Sequence, residues 1–379
     1  MVADRQYDIV LYGATGFTGA LTAEYLAENA GETRWALAGR NQGKLEAVRA
    51  RVAAIDPRLA ELPLLHADAD DPGSLRTMAA STRLVITTVG PYIHYGEPLV
   101  AACAEAGTDY LDLTGEPAFV DQMYVQHHEQ AVRSGARIVH ACGFDSIPHD
   151  LGAYFTVQHL PKDVPLRVEG FLQARGTVSG GTLASAKAAI TDPLTMVRAA
   201  RERGRLEQRP AGRRARISRS PLPHTRVVGG LTLPLPTVDP QIVVRSARAL
   251  ERYGPDFTYG HFLALSRAGG GKGGGGLAGL RAMLRQKSGE GPSAEDRARS
   301  WFRVRFSGEG GGERVVCEVA GGDPGYTETA KMLAESALCL VHDALPDTSG
   351  QVTTAQAMGD ALILRLDRAG ITFRVLSQP

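Results

Sequence analysis

The run YDIVLYGATGFTG over residues 7–19 constrains this chain more than any other feature. Six strand-forming residues, Tyr7 to Tyr12, lead into glycines at 13, 16 and 19, and a helical pattern then continues from Phe17 to Asn29 and is closed by Gly31. A strand that turns on glycine straight into a helix is the opening βα unit of a parallel sheet. The first glycine permits the tight turn, the second lets backbone approach a diphosphate, and the third lets helix and strand pack closely. The helix N-terminus offers N–H groups and partial positive charge to phosphates. Gly13, Ala14, Thr15, Gly16, Phe17, Thr18 and Gly19 are therefore the expected cofactor loop. A glycine-rich turn with no ligand is the plain alternative, and the placement between strand and helix weighs against it.

The pattern repeats to about residue 145. Apolar runs at Trp35 to Ala38, Leu62 to His66, Leu84 to Val89, Tyr110 to Leu113 and Arg137 to Ala141 alternate with helical stretches. These stretches lie near Asn41 to Ile55, Ser74 to Ala80, Pro98 to Glu105 and Pro117 to Ser134. Such alternation predicts an α/β class, with an N-terminal Rossmann domain built on a doubly wound parallel sheet. About 20 residues beyond the glycines, an Asp or Glu would bind a ribose 2′-hydroxyl. Gly39, Arg40 and Asn41 stand there instead. Arg40, with Lys44 one turn on, suits a 2′-phosphate through charge-assisted hydrogen bonds of about 1.5–3 kcal/mol each, so NADP(H) is expected over NADH. Asp68 is expected near the adenine or as a turn cap. Val89, Gly90 and Pro91 should pass beside the nicotinamide ribose, because ligands lie at strand carboxyl ends near the switch point.

At 379 residues the chain exceeds one ordinary core. Beyond Pro148 the texture turns to longer extended segments, which predicts a second, α+β domain. Residues 1–148 are expected as the NADP-binding domain, 149–345 as the substrate domain, and 346–379 as a C-terminal segment packing back on the first. Trp301 to Phe306 and Arg314 to Val319 alternate around Gly308 to Gly312 and read as a β-hairpin. Ala268 to Gly276 (AGGGKGGGG) reads as a mobile loop. A net charge of +1 gives no global attraction to nucleic acid or anionic membrane. Four cysteines without CxxC or zinc-ligand spacing suit reduced thiols and no metal. No stretch approaches the length of apolar sequence that spans a bilayer, and a cytoplasmic location is expected.

Taken together, YDIVLYGATGFTG, AGRN at Ala38 to Asn41, TTVGPY at Thr87 to Tyr92, YLDLTGE at Tyr110 to Glu116 and CGFDSIPHD at Cys142 to Asp150 resemble the saccharopine dehydrogenase-like family. The closest likeness is to bacterial trans-acting enoyl reductases. SGGT at Ser179 to Thr182, DPGY at Asp323 to Tyr326 and the tail from Thr353 to Phe373 extend it over nearly the whole chain. The resemblance implies a Rossmann domain, an inserted α+β domain and a returning C-terminal segment. It also implies NADPH-dependent reduction, with enoyl thioesters of acyl or polyketide chains as the substrate class. Partners would be an acyl carrier protein or polyketide synthase.

Hydride transfer needs position above all, together with a donor for developing charge. Asp145 and Ser146, after the sixth strand, are candidates to contact nicotinamide or substrate, or else an N-cap. His149 is a candidate proton donor, and Tyr92 a candidate donor to a thioester oxygen or else, as aromatics after strands more often are, a packing residue. Asp112 and Glu116 read as polar liners or caps, and Cys142 as a buried structural thiol. Nine arginines between Arg198 and Arg219 form a local basic surface for a carrier protein, coenzyme A or anionic lipid, or a solvated face. A homodimer and peripheral membrane contact stay open. So do a saccharopine-type secondary-amine dehydrogenase and a non-catalytic NADPH-binding sensor or scaffold.

Overall fold

The computed structural model describes residues 5–176, 193–208, 210–218, 227–235, 237–265 and 291–377. The chain opens with β1 (Tyr7–Tyr12), α1 (Phe17–Asn29), β2 (Trp35–Gly39), α2 (Gln42–Ile55), β3 (Leu64–His66), α3 (Pro72–Ser81) and β4 (Thr82–Thr87). It continues through α4 (Tyr92–Tyr95), α5 (Glu97–Ala106), β5 (Asp109–Leu111), α6 (Pro117–Ser134), β6 (Arg137–Val139) and α7 (Ile147–Val157). Next come β7 (Leu166–Arg175), α8 (Pro193–Leu206), β8 (Arg214–Ile217), β9 (Leu231–Pro234), α9 (Asp239–Ala249) and β10 (Asp256–Leu265). The last elements are α10 (Ala294–Ala298), β11 (Trp301–Gly310), β12 (Glu313–Gly321), α11 (Thr327–His342), β13 (Gly350–Val352), α12 (Thr354–Ala357), α13 (Gly359–Arg368) and β14 (Thr372–Ser377).

The first sheet runs β13-β6-β5-β4-β1-β2-β3, with every pairing parallel. Ile9 and Leu11 of β1 pack on one face with Leu26, Leu45, Met332 and Leu333, while Val10 and Tyr12 pack on the other with Leu75, Met78, Val100 and Phe119. Helices cover both faces, which is why the strand reads as a continuous apolar run. Three strands end earlier than their apolar runs. β4 ends at Thr87: Thr88 N–H still donates to the Tyr12 carbonyl oxygen at 3.0 Å, but its hydroxyl turns to the Gly13 carbonyl oxygen at 3.0 Å. After β5 and β6, the buried Asp112 carboxylate takes the N–H groups of Thr114 (3.0 Å) and Ala141 (2.8 Å), and Ala141 is held at φ 60°.

The second sheet is mixed, in the order β14-β12-β11-β7-β10-β8, with β9 antiparallel to β10. β11 and β12 form the expected hairpin, turning at Gly311 (φ 59°) and Gly312 (φ 85°). Phe302, Val304 and Phe306 are buried in the core, whereas Arg303 and Arg305 point away from it and pair with Glu318 at 3.0 and 2.9 Å. α7 and α9 pack on this sheet. The C-terminal segment returns to the first sheet as β13 beside β6, then crosses to edge the second as β14 beside β12. The Gly-rich stretch 268–276 and Ser179 to Thr182 lie outside the described residues.

One buried carboxylate ties these parts together. Asp150 of α7 accepts from the hydroxyls of Ser246 (2.5 Å) and Thr354 (2.7 Å) and from the Ala355 N–H (2.9 Å), joining α7, α9 and the returning segment. Burial raises its carboxyl above the ordinary value, against the three donors. Asp150→Ala leaves buried donors without an acceptor, at about 1–3 kcal/mol each. Urea unfolding should therefore show it several kcal/mol less stable, with Asp150→Asn losing clearly less. Equal, small losses in both would contradict this assignment.

Candidate active site

The strand order reverses between β1 and β4, and the loops leaving these two strands meet there. Gly13 has φ 87°, and its carbonyl oxygen accepts from Gly16 N–H at 3.0 Å as well as from Thr88. A Cβ on Gly19 would stand 2.3 Å from that oxygen, and one on Gly13 would stand 2.8 Å from Val89 Cγ2. These two glycines are required by packing. Gly16 differs, since a Cβ there would meet only the Gly13 oxygen at 3.4 Å, and Thr15 and Gly16 are exposed. Open backbone at a helix N-terminus beside the reversal fits a diphosphate. Ala14 lies in the core beneath it, and Thr18 carbonyl oxygen accepts from the Thr22 hydroxyl. Phe17 turns toward the second domain, edge-on to Tyr326 at 4.9 Å and under the Arg297 guanidinium at 5.4 Å.

At the end of β2, Arg40 and Lys44 are exposed, and neither has a carboxylate partner among the described residues. They fit a 2′-phosphate. Asn41 is the N-cap of α2, its side chain accepting from Lys44 N–H at 2.9 Å. Asp68 caps its own turn by accepting from Asp70 N–H at 3.2 Å.

On the other side of the reversal, Val89 is half-buried, and Gly90 and Pro91 are exposed. Glu116 holds this loop: its carboxylate accepts from the N–H groups of Tyr92 (3.1 Å) and Ile93 (2.8 Å), and burial pushes its pKa up. It thus caps α4, across the crevice edge from its own helix. Tyr92 needs correction as a donor to substrate. It is buried, its hydroxyl donates to Thr87 carbonyl oxygen at 3.1 Å, and it accepts from Leu113 N–H at 3.2 Å. It braces the ends of β4 and β5. Asp112 is likewise internal, accepting from Tyr110 hydroxyl at 2.9 Å and lying 2.6 Å from His140 Nδ1. Cys142 is a buried thiol whose pKa burial pushes well up.

Beyond β6, Asp145 is half-buried and Ser146 is fully buried at the start of α7. Ser146 makes no side-chain cap bond, and its hydroxyl has no hydrogen-bond partner among the described residues. Capping therefore does not explain it. His149 is buried against Asp239 and His261, both from the second domain. Those two carried no signal in linear sequence, nor did Arg297 at the margin of Phe17, whereas Thr88 and Tyr326 stood in motifs the sequence displays. The arginine-rich segment divides. Arg203 is buried, paired with Glu207 at 2.8 Å and stacked 4.0 Å over Tyr124, whereas Arg198, Arg201, Arg205, Arg214 and Arg216 are exposed.

Residues 9–139 match the family described as the saccharopine dehydrogenase NADP binding domain. A Mycobacterium tuberculosis protein named as a trans-acting enoyl reductase is 40% identical over 98% of this chain and 97% of its own length. The trans-acting enoyl reductase of Mycobacterium ulcerans is 36% identical over 97% of each. Among solved structures, apo saccharopine dehydrogenase (L-Glu forming) from Saccharomyces cerevisiae matches with a TM-score of 0.55 at 12% identity, covering 98% of this chain and 100% of that one. That last likeness is one of fold alone.

The glycines separate packing from binding. Gly19→Ala forces a Cβ onto backbone and should cost about 1–3 kcal/mol in thermal unfolding. Gly16→Ala should fold normally yet weaken NADPH roughly tenfold or more in a fluorescence titration, a change of about 1.4 kcal/mol. Normal NADPH affinity in Gly16→Ala would remove that residue from the site.

Proposed function

Because the chain belongs to the trans-acting enoyl reductases, within the saccharopine dehydrogenase-like NADP-dependent oxidoreductases, we propose that it reduces the carbon–carbon double bond of an enoyl thioester. The observation that carries this reading is the extent of the likeness. Identity confined to the first domain would speak only for nucleotide binding, but at 40% it covers 98% of the chain and so includes the second domain, where substrate is selected.

NADPH, when bound, supplies the hydride. The protein's own residues supply placement. The Gly13–Gly19 loop holds the diphosphate, Arg40 and Lys44 hold the 2′-phosphate, Asp68 borders the adenine, and Val89, Gly90 and Pro91 border the nicotinamide ribose. Asp145 and Ser146 contact the reacting end. A buried hydroxyl with no partner, as at Ser146, is an available donor for charge developing on a thioester oxygen. We assign the acyl chain to a separate carrier, in keeping with the words "trans-acting" in the relatives' names. The exposed arginines at 198, 201, 205, 214 and 216 would complement an acidic carrier surface. No helix among the described residues is long and apolar enough to cross a membrane.

Loss of NADPH absorbance with purified protein and 2-enoyl thioesters of increasing chain length tests this reading, run beside mixtures of 2-oxo acid and amino acid. The expected result is turnover with thioesters, rising with chain length. Turnover confined to oxo acid plus amine would make the chain an amine dehydrogenase. None with either, despite tight NADPH binding, would favour a sensor or scaffold.

A further inference from the structure

His149 from α7, Asp239 from the first turn of α9 and His261 from β10 meet in the interior, exposed by 1%, 2% and 5% respectively. One potential ligand atom from each lies within 4.8 Å of the others. His149 Nδ1 is 2.6 Å from Asp239 Oδ1, His261 Nε2 is 3.8 Å from Asp239 Oδ2, and the imidazole rings are 4.6 Å apart at 77°. The His149 to Asp239 approach is short but out of line with the ring N–H. Both nitrogens of His149, Asp239 Oδ1 and His261 Nε2 have no hydrogen-bond partner among the described residues. Two imidazoles and a carboxylate, closed off from water and converging with their ligand atoms within 4.8 Å of one another, form a donor set of the kind that holds a cation.

We propose that His149, Asp239 and His261 form a binding site for a divalent cation of the zinc class. Two neutral imidazoles and one carboxylate are a ligand set such ions take, at about 2.0–2.2 Å from each atom. Tetrahedral ligand atoms at that radius stand about 3.3 Å apart, and with one ligand atom from each residue within 4.8 Å of the others, small side-chain rotations bring the three to that spacing. The ligands must be unprotonated imidazole and ionised carboxylate. An outer partner is also present, since Tyr259 hydroxyl lies 3.2 Å from His261 Nδ1, which turns Nε2 toward the cluster. Three protein ligands leave a fourth position for water or substrate. The ligand positions 149, 239 and 261 lack any short-range motif, and the cysteine pattern has no part in the site. The site does not depend on the enoyl-reductase reading, because an ion here would join α7, α9 and β10 whatever the substrate.

The test uses untagged full-length protein, stripped with chelator and titrated with cobalt(II), then zinc(II). Visible cobalt bands that saturate at one equivalent and are displaced by zinc, with a rise in melting temperature on zinc addition, are expected. Asp239→Asn and His261→Gln should abolish the bands, and Tyr259→Phe should weaken the metal by about tenfold or more. NADPH titration of each variant reports whether it folds. Wild-type protein that shows no bands and retains no metal after gel filtration overturns the proposal, whatever the variants do. Bands unchanged in a folded Asp239→Asn would equally overturn it.

Discussion

The Gly13 carbonyl oxygen is the point around which the crevice is assembled. It accepts from Gly16 N–H and the Thr88 hydroxyl, and it leaves no room for a Cβ at Gly19. This contact sets how closely α1 approaches β1 and how the loops after β1 and β4 lie against each other. The backbone left open at Thr15 and Gly16 follows from that approach. A diphosphate bound there would meet a surface already in place, with little ordering left for binding to drive.

Buried carboxylates extend this order outward. Asp112 fixes the ends of β5 and β6, Glu116 fixes the loop carrying Val89 to Tyr92, and Asp150 joins α7 to α9 and the returning C-terminal segment. Each accepts N–H or O–H donors, and none uses lysine or arginine. A buried acceptor of this kind is expensive to leave unmatched, which makes the arrangement specific as well as stable. The positive φ at Ala141 is one consequence, since Asp112 draws that N–H inward.

Much of the first domain was legible because its signals are local. Alternating apolar runs and glycine placement identify the strands, the helices and the glycine-rich turn between β1 and α1, whereas Asn41, expected at the cofactor, is the N-cap of α2. The strand ends fall short of the apolar runs because apolar character continues past the residues where Asp112 takes the backbone after β5 and β6 out of the ladder. Tyr92 could be read either way, because an aromatic after a strand looks alike whether its hydroxyl faces substrate or, as here, two backbone groups. His149 was visible as a titratable residue, but its partners Asp239 and His261 come from distant parts of the chain, and only the folding of α9 and β10 against α7 brings them together.

Every role proposed for the crevice requires that NADPH be held there with its 2′-phosphate against Arg40. The dissociation constants of NADPH and NADH, measured for the wild type and for Arg40→Asp, test that directly. Wild-type preference for NADPH is expected, with a loss of NADPH affinity of at least about tenfold in the variant and NADH little changed. An NADPH constant untouched by the substitution would contradict it.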